Sequence, residues 1–245
     1  MSSQTLLLFD LDGVVQFDRR VDADAAALLG ELRQAGYVLR FLTNDGFNSR
    51  HSRLAELRAD GLEVAEHELY TASSLAARYA ATRGTTFVLG SDLAAAEFAD
   101  VPQDPLTART VVIGDWFHHY DRERLQLAFE AVLRGAEMIA VHKKRAWTHQ
   151  GRRLIDVGFF VAGLEHCSGR AATVVGKPAA FAYRTVLEDA GFAPEHAVMI
   201  SDEPEPDLQG AQACGLRTLL LGDAEGMPGE FAPHTLADLR RALLG

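Results

Sequence analysis

Apolar positions in this chain come in two rhythms. Short, nearly unbroken apolar runs at residues 6–9, 38–42, 197–200 and 217–221 read as buried parallel strands. Between them lie longer stretches in which apolar residues recur at helical spacing. Asp22 stands where it caps a helix through Gln34, with Ala26, Leu28, Leu29 and Leu32 as its apolar side and Ala35-Gly36 closing it. Further helices are predicted over 48–60 (stopped by Gly61), from Pro178 to about Ala190, up to Cys214-Gly215, and over 236–244. Strand followed by helix, repeated, predicts a right-handed, doubly wound, mostly parallel α/β sheet.

The same alternation continues through the middle third. Strands are predicted over 86–89, 110–113 and 137–141, and helices over 92–98 and 122–133, with Asp100-Val101-Pro102-Gln103-Asp104-Pro105 as a loop. This stretch is long enough to be a domain of its own. The expected organisation is a core of residues 1–72 and 173–245, interrupted by an inserted α/β cap over 73–172.

Polar signals cluster where the apolar runs stop. The first run drives into Asp10 and Asp12, two acids two positions apart, and then Gly13. On an extended backbone both carboxylates point the same way, and the glycine lets the chain turn away. The second run ends in Thr43-Asn44-Asp45-Gly46, Lys177 opens a helix after Thr173-Val174-Val175-Gly176, and the fourth signal is Ser201-Asp202 with Asp207. Open α/β sheets bind ligands at the carboxyl ends of their strands, so all four signals are expected on one rim.

That set suits phosphoryl transfer. One carboxylate can act as nucleophile and form an aspartyl-phosphate, and a second can serve as acid and base. Crowded carboxylates repel unless a cation offsets them. Mg²⁺ takes oxygen ligands, keeps waters and neutralises phosphate charge. A hydroxyl, turn amides and a lysine can hold the remaining phosphoryl oxygens.

Asp10-Leu11-Asp12-Gly13, Leu42-Thr43-Asn44, Gly176-Lys177-Pro178 and Ser201-Asp202 with Asp207 resemble the four motifs of the haloacid dehalogenase superfamily of phosphohydrolases. The insertion between the second and third motifs is similar to the subfamily with an α/β cap at that place (subfamily IIA). Within that subfamily, Phe117-His118-His119-Tyr120, residues 133–143, Arg145-Ala146-Trp147 and Val174–Pro178 look closest to the phospholysine phosphohistidine inorganic pyrophosphate phosphatase branch. The resemblance implies Asp10 as nucleophile, Asp12 as general acid and base, and Lys177 orienting nucleophile and phosphate. It implies that Thr43, Asn44 and Asp45 bind phosphate. Mg²⁺ would sit on the carboxylates of Asp10 and Asp202 and the backbone carbonyl of Asp12, with Asp207 holding metal waters or Lys177. A homodimer through the cap is implied as well. Asp45 stands where relatives often have a second asparagine, Ser201 replaces a common glycine, Asp22 stands where relatives often carry glycine, and Glu203, Pro204, Glu205 and Pro206 make the fourth motif acidic and stiff.

Composition narrows the partners. A net charge of −10 over 245 residues argues against a nucleic-acid binder. No apolar stretch is long enough to span a bilayer, the two cysteines are far apart, and Asp10 comes too soon for a signal peptide, so a cytoplasmic protein is expected. The substrate expected is a small phosphorylated metabolite: a phosphomonoester, a phosphoramide or pyrophosphate. Two alternatives stay open. A metal-independent dehalogenase would use the same nucleophile, but Asp12 and Asp202 argue against it. A protein that keeps the fold and binds without turnover is kept open by the substitutions at Asp45, Ser201 and Glu203. His118, His119, His142 and His149 lack metal-ligand spacing; the basic turn His142-Lys143-Lys144-Arg145 either faces solvent or faces substrate. Trp116 and Trp147 are expected to pack within the cap.

Overall fold

The computed structural model describes residues 5–117, 120–222 and 233–245, and only the backbone at positions 149, 206, 233 and 234. His118 and His119, and the motif they belong to, lie outside the described residues.

Contacts divide the chain into two compact units. The first comprises Met1–Thr43, Leu54–Tyr70 and Lys177–Gly245, and the second Asn44–Arg53 and Thr71–Gly176.

The first unit is built on strands β1 (Leu6–Phe9), β4 (Val38–Thr43), β5 (Leu69–Thr71), β12 (Ala197–Ser201), β13 (Arg217–Leu221) and β14 (Pro233–His234). They form a six-stranded sheet in the order β14-β13-β12-β1-β4-β5. β1 lies between β12 and β4, parallel to both: Phe9 faces Ile200 on one side and Phe41 on the other. All four residues of β1 are buried, as an unbroken apolar run in a parallel sheet requires. Helix α1 (Ala23–Gln34) lays Leu28, Leu29 and Leu32 against Leu7, Phe9, Leu39 and Phe41. Asp22 caps it, its carboxylate accepting the Ala25 N–H at 2.9 Å. Residues 16–20, read as a polar stretch, instead form a tight hairpin of β2 (Gln16–Phe17) and β3 (Arg20–Val21). Its turn residues Asp18 and Arg19 take φ of 47° and 63°, without the glycine that usually announces such a turn.

In the second unit β6 (Thr86–Leu89), β7 (Thr110–Ile113), β8 (Glu137–Ala140) and β11 (Thr173–Val174) make a parallel sheet in the order β11-β8-β7-β6. The sequence boundary at 172/173 therefore cuts inside this unit: β11 pairs with β8, and the following Val175 and Gly176 continue that ladder to Ala140 and Val141. Helix α5 (Arg122–Leu133) and the 92–98 helical segment fall where periodicity places them. Helices α3 (Ala72–Ala81) and α6 (Gly158–Ser168) and the hairpin β9 (Ala146–His149)/β10 (Arg152–Ile155) were not anticipated. Trp116 is buried, its ring 5.1 Å from that of Phe160, as packing predicts, whereas Trp147 in the hairpin is 40% exposed. His142 is also buried, 3.8 Å from Asp156, so it is not part of a solvated turn.

Candidate active site

The order of strands puts a topological switch at β1: the chain leaves it for β4 on one side and later returns to β12 on the other. The carboxyl ends of these three strands are the place where such a sheet receives a ligand. Asp10 follows β1, Thr43 ends β4, and Asp202 follows β12.

Asp10 continues the ladder, its N–H donating to Ile200 O at 2.9 Å. Its carboxylate is 8% exposed, and Oδ1 takes two donors: the Leu11 N–H at 2.8 Å and Lys177 Nζ at 2.7 Å. Lys177 is buried and reaches Asp207 Oδ2 at 2.5 Å. Of the two roles open for Asp207, its contact is with the lysine. Burial by itself would pull the Lys177 ammonium below its ordinary value, but the carboxylates of Asp10 and Asp207 outweigh it and hold the lysine charged, far above. Ser201 Oγ donates to the same Asp207 oxygen at 2.8 Å, and the Tyr183 hydroxyl donates to the Asp207 carbonyl at 2.8 Å. The serine that replaces a common glycine is thus part of the lysine's mounting. Neither Ser201 nor Tyr183 was singled out from sequence in this role. The only available signal was the serine's place at a strand end.

Asp12 lies past the strand, exposed, with Oδ1 accepting from Gln16 Nε2 at 2.8 Å. The hairpin that holds Gln16 therefore also aims Asp12. Gly13, at φ 80°, lies directly under Asp202: a Cβ there would fall 2.0 Å from Asp202 Oδ2. Asp202 Oδ1 is buried without a hydrogen-bond partner. Burial first, then the charges of Asp10 and Glu203, push its carboxyl up to about 7.

The donor set fits a hard divalent cation. An orphaned buried carboxylate oxygen, held ready for a charge it lacks, beside a second buried carboxylate is what such an ion relieves. Among the described residues, no group of three or more His, Cys, Asp or Glu side chains converges as a metal cage. Two carboxylates, a backbone carbonyl and retained waters meet Mg²⁺ without one.

Thr43 is buried at the end of β4. Asn44 and Asp45, next along the chain, belong to the second unit, where Asp45 accepts from the Phe47 and Asn48 N–H groups at 2.9 Å each.

An open parallel α/β sheet with a carboxylate and lysine at its switch point, interrupted by a second α/β unit, defines the class of fold. Comparison with known proteins gives the family. Residues 7–102 match the family described as haloacid dehalogenase-like hydrolase, and 174–239 match the one described as HAD-hydrolase-like. Haloacid dehalogenase-like hydrolase domain-containing protein 2 of Mus musculus is 34% identical over 88% of this chain and 83% of its own. Phospholysine phosphohistidine inorganic pyrophosphate phosphatase of Xenopus laevis is 30% identical over 95% of this chain and 88% of its own. The structure of glycerol phosphate phosphatase from Mycobacterium tuberculosis in complex with magnesium superimposes with a TM-score of 0.83 and 25% identity, over 96% of this chain and 76% of that one. The chain belongs to the haloacid dehalogenase-like hydrolase family.

Proposed function

We propose that this hydrolase is a Mg²⁺-dependent phosphatase acting on a small phosphorylated metabolite through an aspartyl-phosphate. The observation that carries the proposal is the buried Asp10–Lys177–Asp207 chain, with contacts of 2.7 and 2.5 Å, at the end of the central strand. It fixes the Asp10 carboxylate, because both Lys177 and the Leu11 N–H hold Oδ1.

In the first half-reaction Asp10 Oδ2 attacks phosphorus and the bond from phosphorus to the leaving oxygen (or nitrogen, in a phosphoramide) breaks. Asp12 gives its proton to the leaving atom. In the second half Asp12 takes a proton from water, the water oxygen attacks phosphorus, and the bond from phosphorus to Asp10 breaks. Phosphate leaves and the carboxylate is restored. Lys177, the Thr43 hydroxyl and the turn at Asn44 and Asp45 supply donors to the phosphoryl oxygens. Asp10, Asp202 and the Asp12 carbonyl would hold Mg²⁺, which when bound neutralises phosphate charge. The phosphatase names of the relatives and the magnesium complex of the similar structure support this reading. So does the orphaned Asp202 oxygen.

The reading extends to a cytoplasmic protein, dimeric through the inserted unit, with no nucleic-acid or membrane partner. The net charge of −10 supports the exclusion of nucleic acid, and no helix among the described residues is long and apolar enough to cross a membrane. Hydrolysis of p-nitrophenyl phosphate with Mg²⁺, with EDTA and by Asp10→Asn tests the proposal. Turnover that needs both the metal and Asp10 supports it; turnover by Asp10→Asn refutes it.

A further inference from the structure

Asp45 is the last residue of the turn assigned to phosphate, where a negative side chain repels the substrate. In the structure that charge is neither exposed nor alone. The Asp45 side chain is 7% exposed and its Oδ2 lies 3.4 Å from Nε of Arg53, whose own side chain is 2% exposed. Oδ1 accepts from the Phe47 and Asn48 N–H groups at 2.9 Å, and Oδ2 from Asn48 Nδ2 at 2.9 Å. Arg53 lies in the first turn of α2 (Arg50–Ala59) and is among the largest fully buried side chains of the chain.

The turn these groups shape is tied down within the second unit. Ser73 N donates to Asp45 O at 3.4 Å and Ser73 Oγ to Asn48 O, while Ser91 Oγ donates to Phe47 O. Gly46 lies so close to Val141 that a Cβ would meet its Cγ2 at 2.8 Å. Asn44 is equally confined: a Cβ on Gly176 would fall 2.7 Å from its Oδ1. A guanidinium buried this deeply is costly unless paired, and a carboxylate this near a phosphate site weakens anion binding unless its charge is cancelled.

We infer that Asp45 and Arg53 form a buried charge clamp in which Asp45, by accepting the Phe47 and Asn48 N–H groups, shapes the turn that follows Thr43-Asn44, and Arg53 cancels its charge toward the phosphate. Both are positioning residues for phosphate binding. The inference rests on the phosphatase reading and assigns Arg53 a place in it.

The test is steady-state kinetics with p-nitrophenyl phosphate and Mg²⁺, inorganic phosphate as competitive inhibitor, and Tm for each variant. Arg53→Met leaves the carboxylate uncancelled, so KM and the phosphate Ki rise about tenfold with kcat within about threefold. Asp45→Asn shifts both constants the other way, because it removes the negative charge and leaves Arg53. The double variant Asp45→Asn/Arg53→Met returns them to within about twofold of wild type, and Arg53→Lys stays near wild type. A merely structural pair cannot give opposite signs. A rise in KM for Asp45→Asn like that of Arg53→Met overturns the inference, as does a double variant no better than Arg53→Met or an effect confined to kcat. If Arg53→Met does not fold, the sign of the Asp45→Asn shift decides. A wild type inactive in every arm overturns the phosphatase reading; the clamp is then decided by the same signs in the thermal shift given by inorganic phosphate.

Discussion

On the proposed reading, in which Asp202 holds the divalent ion, that residue should couple metal binding to pH and to stability. Its carboxyl is pushed up from the ordinary 3.8 to about 7 by burial and then by the charges of Asp10 and Glu203. Between those values the native state binds more protons than the unfolded state. The metal-free protein therefore loses stability as pH rises through the window from about 4 to 7, and the loss is complete above it. At about 1.36 kcal/mol per pH unit the penalty is on the order of 4 kcal/mol, or on the order of 10 °C in Tm for a chain of this size. A divalent cation needs the ionised carboxylate and removes the penalty. Ion at 100 times its Kd stabilises by about 2.7 kcal/mol at pH 8 or above. At pH 5 only about one Asp202 in a hundred is ionised, apparent affinity falls about a hundredfold, and that stabilisation nearly vanishes. Thermal melts at pH 5, 6, 7 and 8, in EDTA and in Mg²⁺, read this directly. The Mg²⁺-induced shift should grow with pH, Asp202→Asn should abolish it, and in EDTA at pH 8 that variant should melt above wild type. A shift of equal size at pH 5 and pH 8, or one that survives in Asp202→Asn, refutes the reasoning.

Three further outcomes follow from the same geometry. Asp10→Asn should abolish Mg²⁺-dependent turnover with its circular dichroism spectrum unchanged; an active variant would remove Asp10 from the nucleophile's role. Lys177→Met strands the carboxylates of Asp10 and Asp207 with no buried cation between them, so urea denaturation should show a loss of about 3–5 kcal/mol. A loss below about 1 kcal/mol would mean that the two acids find relief elsewhere. Gly13→Ala places a methyl 2.0 Å from Asp202 Oδ2 at a φ of 80°, so isothermal titration should show Mg²⁺ affinity reduced, on the order of tenfold; unchanged affinity would show that Asp202 does not bear on the ion.

The central strands were legible because burial on both faces leaves short, nearly unbroken apolar runs bounded by turn residues, and the ends of those runs were where the acids and Thr43 stood. Elements were missed where local signal and packing part company. Ala72–Ala81 is a helix that buries mostly small residues (Ala72, Ser73, Ala76, Ala77 and Ala80 beside Leu75), and its Thr71–Ser74 capping box marks its start. The Ala146–His149/Arg152–Ile155 hairpin turns at Gln150-Gly151, both at positive φ, between strands that are largely exposed and lack an alternating pattern. β11 was read with the third motif because its sequence runs into Lys177. Its partner, β8, follows from sheet order alone. Within the site, residue types were legible and contacts were not: nothing in the spacing from Ser201 to Asp207 says that the serine hydroxyl and Lys177 share one carboxylate oxygen.

The charge balance of the first unit explains why these departures from the family pattern need not abolish catalysis. Asp10 and Asp207 hold the buried Lys177 between them, and Asp202 beside them feels the charges of Asp10, Glu203 and Asp207. An anionic phosphate cannot approach such a rim unless further positive charge arrives with it, and the unsatisfied oxygen of Asp202 marks where that charge is lacking. On the proposed reading, added acidity in the fourth motif should therefore raise the demand for a divalent ion instead of disabling the site. Asp45 belongs to the second unit, next along the chain from the turn proposed for phosphate, and there the chain supplies its own counter-charge in Arg53. Metal dependence should thus respond to substitutions at Asp202 and Glu203 and stay unchanged on substitution at Arg53, whereas phosphate affinity should respond to Arg53. A Mg²⁺ titration of turnover in Glu203→Gln and Arg53→Met separates the two: an altered Mg²⁺ midpoint in Arg53→Met, or an unaltered one in Glu203→Gln, would show that the two charge balances are not independent.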